Sequence, residues 1–340
     1  MKKVLFASTA FAALAVGGAA FAQGITLYGS ARLGLYYNDD ADNKLQTTSR
    51  TRFGVTMTGE TDSGITFGAD MRADQVVDGS IDAADNVRAG SAFVSGAFGT
   101  LTFGDTNGAD EQWVGDLYGD FSLTGLNDWD ETIFISNGGS LDDDNFVANP
   151  DARPTVRYDF DIAGFGLSLS SDHSLNDVGV GAGYAGSFGG FDLSIGAGYY
   201  NFKGFEVNSF GGYRLDPATN EVVEVTNSFT GNDGDQWSAM VGFGAGDFDM
   251  NVIYSSVDFD GPDAWETLGV GAQYSFDALS VGAYYTTFIS GDGGADEWDG
   301  DDAYEFSAMY DLGGGASVKG GIQDNFSDTV VADFGIDMAF

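Results

Sequence analysis

The sequence predicts an all-β fold, a 16-stranded antiparallel transmembrane β-barrel, on three observations. The chain has 340 residues, and its 52 glycines and 4 prolines occur together with 14% aromatic residues. This composition disfavours helices and favours many strands joined by tight turns. Segments in which apolar and polar residues alternate recur from residue 25 to the C-terminus. The connections between these segments alternate between short and long, which is typical of a barrel that crosses an outer membrane.

The N-terminal residues 1–22, MKKVLFASTAFAALAVGGAAFA, are predicted to be a secretory signal peptide. Two lysines precede a short apolar stretch, and Ala20-Phe21-Ala22 forms a small-residue cleavage site. A single membrane anchor is the alternative, but the apolar stretch is short for a span. Residues 23–340 are therefore predicted to form one barrel domain, which the signal peptide directs across the inner membrane.

Sixteen segments have a period of two residues, so parity gives each an apolar and a polar face. In TSRTRFGVTMTGE, for example, Phe53, Val55 and Met57 share the apolar face. A soluble β-sandwich would alternate in the same way. However, sixteen apolar faces exceed what one sandwich core can bury, whereas lipid can cover them all. The segments are 25–37, 48–60, 65–74, 87–95, 100–105, 154–161, 165–171, 178–185, 191–199, 236–244, 248–255, 266–274, 279–286, 303–310, 316–322 and 329–340.

Short glycine-rich turns are interleaved with longer acidic connections along the whole chain. ETDSG (60–64), SGAFG (95–99), AGSFGG (185–190) and DLGGG (311–315) are turns of the short kind. All the short turns then fall at one end of the sheet and the long loops at the other. Aromatic residues also recur near the strand ends, where a membrane barrel has its interfacial girdles.

Both ends of the predicted barrel resemble those of a known family. The start GITLYGSARLGL (24–35), the sixteen segments and the terminal Phe340 are similar to the general diffusion porins of Gram-negative bacteria, in particular the alphaproteobacterial (Rhodobacter-type) group. The resemblance implies a homotrimer in the cell outer membrane, in contact with lipid and lipopolysaccharide. It also implies that the barrel assembly machinery reads the last strand through Phe340.

Parity places a set of arginines on the polar faces of the first four segments, where they would point into a lumen too wide for side chains to fill. They are five of the 13 basic residues in the chain. A chance position on polar faces would explain their parity but not their clustering. We expect them to form the basic wall of a pore constriction: Arg32, Arg50, Arg52, Arg72 and Arg88.

The connection 106–152 is by far the longest and contains many acidic residues but no lysine or arginine. Structureless loops of this length are usually functional. Its place after the fifth strand matches the loop that folds into the lumen of porins, so the resemblance implies a constriction loop facing the arginines. The carboxylates expected to face them precede the apparent loop apex: Asp105, Asp110, Glu111, Asp116 and Asp120.

The net charge of −39 repels nucleic acid and attracts divalent cations. Asp142, Asp143 and Asp144 offer oxygen ligands suited to calcium, but their spacing does not fit a twelve-residue calcium loop. No other cofactor is expected. GAGYAG (181–186) matches a dinucleotide motif, yet it lies within a strand and no helix follows, so its glycines are better interpreted as thin places in the sheet.

The sequence thus predicts a channel for passive diffusion of small hydrophilic solutes and ions, with weak cation selectivity. A substrate-selective channel is the alternative, but no run of aromatic residues follows the polar faces. An outer-membrane enzyme or adhesin is a third possibility, although the single His173 argues against hydrolysis. Small outward residues on the third and fourth segments are predicted at the trimer contact: Ala69, Ala73, Ala89 and Ser91.

Overall fold

The fold is a closed antiparallel β-barrel of sixteen strands, as the sequence predicts. The computed structural model describes residues 24–73, 90–126, 129–130, 134–137, 154–203, 206–215, 222–230, 233–260, 264–292 and 300–340. The barrel strands of the first half are β1 (Gly24–Asn38), β2 (Leu45–Glu60), β3 (Thr66–Ala73), β4 (Ser91–Gly96), β5 (Gly99–Gly104), β6 (Val156–Ile162), β7 (Phe165–Ser171), β8 (Val178–Phe188) and β9 (Phe191–Phe202). Those of the second half are β12 (Gly234–Ala245), β13 (Phe248–Phe259), β14 (Ala264–Phe276), β15 (Leu279–Asp292), β16 (Asp302–Gly313), β17 (Ala316–Asp324) and β18 (Val330–Ala339).

The first and last strands pair and close the sheet. Leu33 lies opposite Ile336 in the β1–β18 ladder, and the backbone N–H of Phe340 donates to the carbonyl of Gly29 at 2.9 Å. Closure matters because an open edge would leave backbone N–H and C=O groups without partners in hydrocarbon. Phe340, whose side chain is exposed, directly follows this closing strand.

Among the described residues, a two-stranded sheet between β9 and β12 is the strand pair that the sequence pattern does not predict. Strands β10 (Glu206–Leu215) and β11 (Val222–Thr230) pair with each other and are separate from the barrel sheet, while β9 pairs directly with β12. The hairpin therefore belongs to the long connection between these two barrel strands.

The outside of the barrel is apolar and the inside is mostly polar. Outward side chains such as Leu27, Phe53, Leu167 and Phe306 are each more than half exposed. Exposing so large an apolar surface to water would be unfavourable, whereas the hydrocarbon of a bilayer can cover it. Among the described residues, no helix is long and apolar enough to span a membrane.

The connections follow the predicted asymmetry. Turns of a few residues join β2 to β3, β4 to β5, β6 to β7, β8 to β9, β12 to β13, β14 to β15 and β16 to β17, all at one end of the barrel. The long connections lie at the other end. The longest joins β5 to β6, and its described part enters the barrel.

Candidate functional site: the constricted lumen

The connection between β5 and β6 runs along the inner wall of the barrel. Its residues contact β7 to β9 first, then β13 to β16, and finally β17, β18 and β1. Three hydrogen bonds mark this path: Trp113 Nε1 donates to Ser168 Oγ at 2.9 Å, Tyr118 N to Asn251 Oδ1 at 2.8 Å, and Leu123 N to Asp333 Oδ1 at 3.0 Å. We call residues 105–137 of this connection, as far as described, the inner loop.

Glycines on the inner faces of β7 to β9 allow the inner loop to lie directly on the sheet. A Cβ atom added at Gly181 would lie 1.8 Å from the carbonyl oxygen of Ala109, and one at Gly196 would lie 1.7 Å from that of Trp113. At Gly166 the added atom would meet the Trp113 ring at 1.8 Å. All three distances are far below van der Waals contact, so any other residue at Gly181 or Gly196 would displace the loop backbone, and one at Gly166 would displace the Trp113 ring. Gly181 and Gly183 of GAGYAG therefore leave space on the inner wall that the loop occupies.

The middle of the inner loop is fixed by polar side chains of the opposite half of the sheet. Asn251 accepts from Tyr118 N and donates from Nδ2 to the carbonyl of Asp116 at 2.7 Å. Ser307 Oγ donates to Gly119 O at 2.8 Å and accepts from Phe121 N at 2.7 Å. Gly119 has φ +113° and lies against the backbone of β14 and β15, a conformation and a space that only glycine fits.

The loop reaches the arginine side of the barrel at Leu123 and Thr124. The buried carboxylate of Asp333 accepts from both their backbone N–H groups, from Thr124 Oγ1 at 2.7 Å and from Gly321 N at 3.0 Å. Arg32 donates to the carbonyls of Leu123 and Thr124 at 3.1 and 3.2 Å. The backbone of the loop thus meets this arginine directly.

The returning part of the loop builds an apolar core inside the barrel, which the sequence pattern does not predict. Ile135 packs with inward-facing aromatic residues of β9, β14 and β15, and Trp129 meets Phe326 edge to face at 4.8 Å. Ile135 N also donates to the buried Gln236 Oε1 at 2.8 Å. The aromatic members are Tyr200, Phe202, Trp265 and Phe288. This core occupies the lumen beside β9 and β12 to β15, so water is displaced from that half.

The arginines lie on the other half of the inner wall. Arg32 and Arg50 are opposite each other in the β1–β2 ladder, Arg52 is two residues further on the same face, and Arg72 pairs with Gly54. Arg72 is exposed, and Arg50 and Arg52 are partly exposed. In contrast, inward positions of β7 to β9 and β12 to β14 are mostly buried. The accessible inner surface is therefore the arginine side.

An acidic residue that is not among the predicted site residues lies within this basic wall. Asp70 accepts from Tyr28 Oη at 2.9 Å and from Thr56 Oγ1 at 2.6 Å. Its alternation with Arg72 on the polar face of β3 was a signal that could have identified it. Asp70 reduces the positive charge of the wall while its two donors hold it in place.

Asp110 differs from its predicted position. It is 1% exposed, accepts from Ser136 Oγ at 2.8 Å and lies against Gly179 and Gly198 of β8 and β9, nearly across the barrel from the arginines. The glycine surface draws the loop so close that this carboxyl is enclosed. Burial raises the pKa of Asp110 to about 6, although the hydrogen bond from Ser136 opposes the rise.

Asp120 also differs from its predicted position, because it contacts Glu305 on β16 rather than an arginine. Glu111 is buried and accepts from Asn107 Nδ2 at 2.6 Å, Asp116 is partly exposed, and Asp105 is exposed at the end of β5. Arg88, Ala89 and the aspartates 142–144 lie outside the described residues, so their roles stay predictions. In the described part of the chain no group of three or more residues could hold a metal ion.

The raised pKa of Asp110 predicts a pH-dependent stability. Its folded pKa lies above its ordinary value of 3.8, so its contribution is fully present below that value and is lost as pH rises through about 6. The shift corresponds to about 3 kcal/mol of unfolding free energy. We expect Asp110→Asn to remove this loss, as measured by denaturant unfolding in detergent at about pH 4 and about pH 7. The exposed Asp105→Asn should keep the wild-type difference; equal differences in all three proteins would contradict the assignment.

Comparisons with known proteins agree with this architecture. The sequence model of the family described as Gram-negative porin matches residues 7–329. The porin of Rhodobacter capsulatus is 30% identical, and that of Fuscovulum blasticum is 26% identical; each alignment covers 93% of this chain and 100% of the relative. A solved porin structure superposes with a TM-score of 0.65 at 24% identity, with the same coverage of both chains. The chain belongs to the Gram-negative porin family and is an outer-membrane diffusion channel.

Proposed function

We propose that this porin lets small hydrophilic solutes and ions diffuse passively along the arginine side of its lumen. The observation that carries the proposal is the difference between the two halves of the inner wall. Inward side chains of β7 to β9 and β12 to β14 are covered by the inner loop and its apolar core, whereas those around Arg50, Arg52 and Arg72 are accessible. Water and solutes then share a narrowed passage lined mainly by β1 to β5.

A non-specific channel fits this lining better than a substrate-selective one. A sugar-selective channel needs aromatic faces open to the solute, and the inward aromatic residues of β9, β14 and β15 are instead 0 to 3% exposed. The accessible wall consists mainly of charged and hydroxyl side chains, and its aromatic members among the described residues are Tyr28, Tyr36 and Phe93. Such a wall suits solutes that exchange their hydration for polar contacts, and it disfavours apolar ones.

We further propose weak cation selectivity. The inward faces near the short turns carry Asp161, Asp192, Asp249 and Asp311, whereas Lys319 at that end is paired with Asp337 at 3.0 Å. This acidic surface favours cations at the mouth, and the arginine wall opposes them further inside. The two fields are expected to leave a small net preference for cations.

Planar-bilayer recording tests the channel. We expect large, ohmic, long-lived open states whose current is not blocked by individual sugars, and a reversal potential under a potassium chloride gradient that shows a modest cation preference. Concentration-dependent block by one sugar would favour the selective channel. A purified, folded barrel that passes no current would contradict the proposed function.

We also propose a trimer whose contact lies on the outer face of β1 to β3. The outward positions of β2 include three exposed hydroxyl residues, Thr47, Ser49 and Thr51, which hydrocarbon would leave without partners. Ala69 and Ala73 share the outward face of β3, whereas Ser91 lies on the inward face of β4 with Phe93, unlike its predicted position. A second barrel could cover this polar, small-residue surface and supply hydrogen bonds.

Native mass measurement in detergent tests this assembly. We expect three copies for the wild type and a loss of trimer for Ser49→Arg, because a buried guanidinium without a partner is costly at a contact. Particles of a single wild-type barrel would contradict the trimer.

We also propose that residues 1–22 are a signal peptide and that Phe340 is read by the barrel assembly machinery. Deleting Phe340 should reduce the amount of folded barrel in the outer membrane.

A further inference from the structure

Glu305 is a fully buried carboxyl group on the inner wall, beneath the middle of the inner loop. Its exposed fraction is 0%. Tyr284 Oη on β15 donates to Glu305 Oε2 at 3.3 Å, and Gln323 Nε2 on β17 donates to Tyr284 Oη at 2.5 Å. Among the described residues, Glu305 Oε1 has no donor, although it is as deeply buried.

The charged groups that bear on this site from the elements packed against it are acidic. Asp120 of the inner loop lies within hydrogen-bonding reach of Glu305, and Asp130 acts on the neighbouring Tyr284 from the returning part of the loop. Asp120 also accepts from the backbone N–H of Ser122 at 2.6 Å, which fixes its carboxyl. Glu305 is out of water and Asp120 is only partly exposed, so two ionised carboxylates in contact here would repel each other strongly.

We propose that Asp120 and Glu305 share one proton, and that this O–H···O bond holds the middle of the inner loop against β16. Glu305 is then a positioning residue for the constriction. The single proton supplies the donor that Oε1 otherwise lacks, and it removes one of the two negative charges. At high pH hydroxide takes up this proton and becomes water, so that two ionised carboxylates remain in contact. Their repulsion then pushes the loop segment Gly119–Ser122 away from Ser307.

The inference deepens the proposed function, because loosening this segment would move the loop into the passage beside the arginines. It nevertheless concerns a bond within the barrel, so it can be tested without any current. If the folded barrel passes no current, only the proposed function is contradicted. If no proton is shared between Asp120 and Glu305, only this inference is contradicted.

The test uses the folded, detergent-purified protein and two readouts. Infrared spectra at about pH 7.5 should show a protonated-carboxyl C=O band that is lost in Glu305→Gln, because the amide supplies the donor instead. Hydrogen exchange of residues 119–122, corrected for its intrinsic pH dependence, should rise about tenfold from about pH 7 to about pH 10 in the wild type. It should stay nearly constant in Glu305→Gln.

Asp120→Asn provides a second variant and should behave as Glu305→Gln does, so the proposal stays testable if one of them folds poorly. Asp337→Asn serves as the control, because this inward carboxylate is paired with Lys319 and should leave both the band and the exchange response unchanged. A wild type without the band, or Glu305→Gln exchanging with the same pH dependence as the wild type, would overturn the shared proton.

Discussion

Replacing Gly181 with valine is expected to lower the single-channel conductance to roughly half of the wild-type value. A Cβ atom at this position would lie 1.8 Å from the carbonyl oxygen of Ala109, which cannot swing aside as a side chain could. The inner loop must therefore leave the wall, and it would then move into the passage beside the arginines. Overpacking of this kind also costs about 1 to 3 kcal/mol of folding free energy. Bilayer recording of the purified variant measures the change in conductance.

Two matched variants serve as controls for the predicted loss of conductance. Ala182 is the next residue of β8 and faces outward, so Ala182→Val adds similar volume without touching the loop and should conduct as the wild type does. Gly183→Ala would meet the Trp113 ring at 2.6 Å, a side chain that can shift, so a smaller decrease is expected. Equal conductance for Gly181→Val and Ala182→Val would show that the loop does not rest on these glycines.

Removing both Arg50 and Arg52 is expected to raise the cation-to-anion permeability ratio about fivefold. Each charge acts on a passing ion at about 8 Å through water with about 0.5 kcal/mol, which screening at about 0.1 M salt reduces to about 0.2 kcal/mol. Because each charge acts oppositely on cations and anions, the two together change the permeability ratio by about 0.9 kcal/mol, or about fivefold. Salt screening reduces the change, so it should be greatest at low ionic strength. The reversal potential of Arg50→Ala/Arg52→Ala under a potassium chloride gradient measures it.

The control removes the same charge from outside the passage. Lys44 and Lys203 lie in the long connections and are exposed, so Lys44→Ala/Lys203→Ala also lowers the net charge by two. We expect this control to change the permeability ratio only slightly. If it changes the ratio as much as the arginine variant does, the selectivity comes from the overall charge of the protein rather than from the wall.

The barrel could be predicted from sequence because its signal is local. Period-2 alternation in a stretch such as Phe165–Ser171 depends only on which side of the sheet faces lipid. It can therefore be recognised in a strand of seven residues. The hairpin β10–β11 was missed because it does not cross the bilayer, so it lacks the constant outer environment that makes the barrel strands recognisable.

The path of the inner loop could not be predicted, because it depends on contacts between residues far apart in the chain. Asp110 is acidic and lies in an acidic loop, yet its position is set by Gly179 and Gly198, more than sixty residues later. The apolar core left a weaker trace. Tyr199, Tyr200 and Phe202 interrupt strict alternation at the end of β9, and a strand with apolar residues on both faces is one that is buried on both sides.

The division of the inner wall has a consequence for how this channel can change. Strands β7 to β9 and β12 to β16 hold the inner loop through glycines, Asn251 and Ser307, so substitutions there act first on folding. Strands β1 to β5 line the passage and make fewer contacts of this kind with the inner loop. A lineage, or a protein engineer, could therefore retune which molecules pass by altering one arc of the cylinder while the other arc keeps the aperture in place.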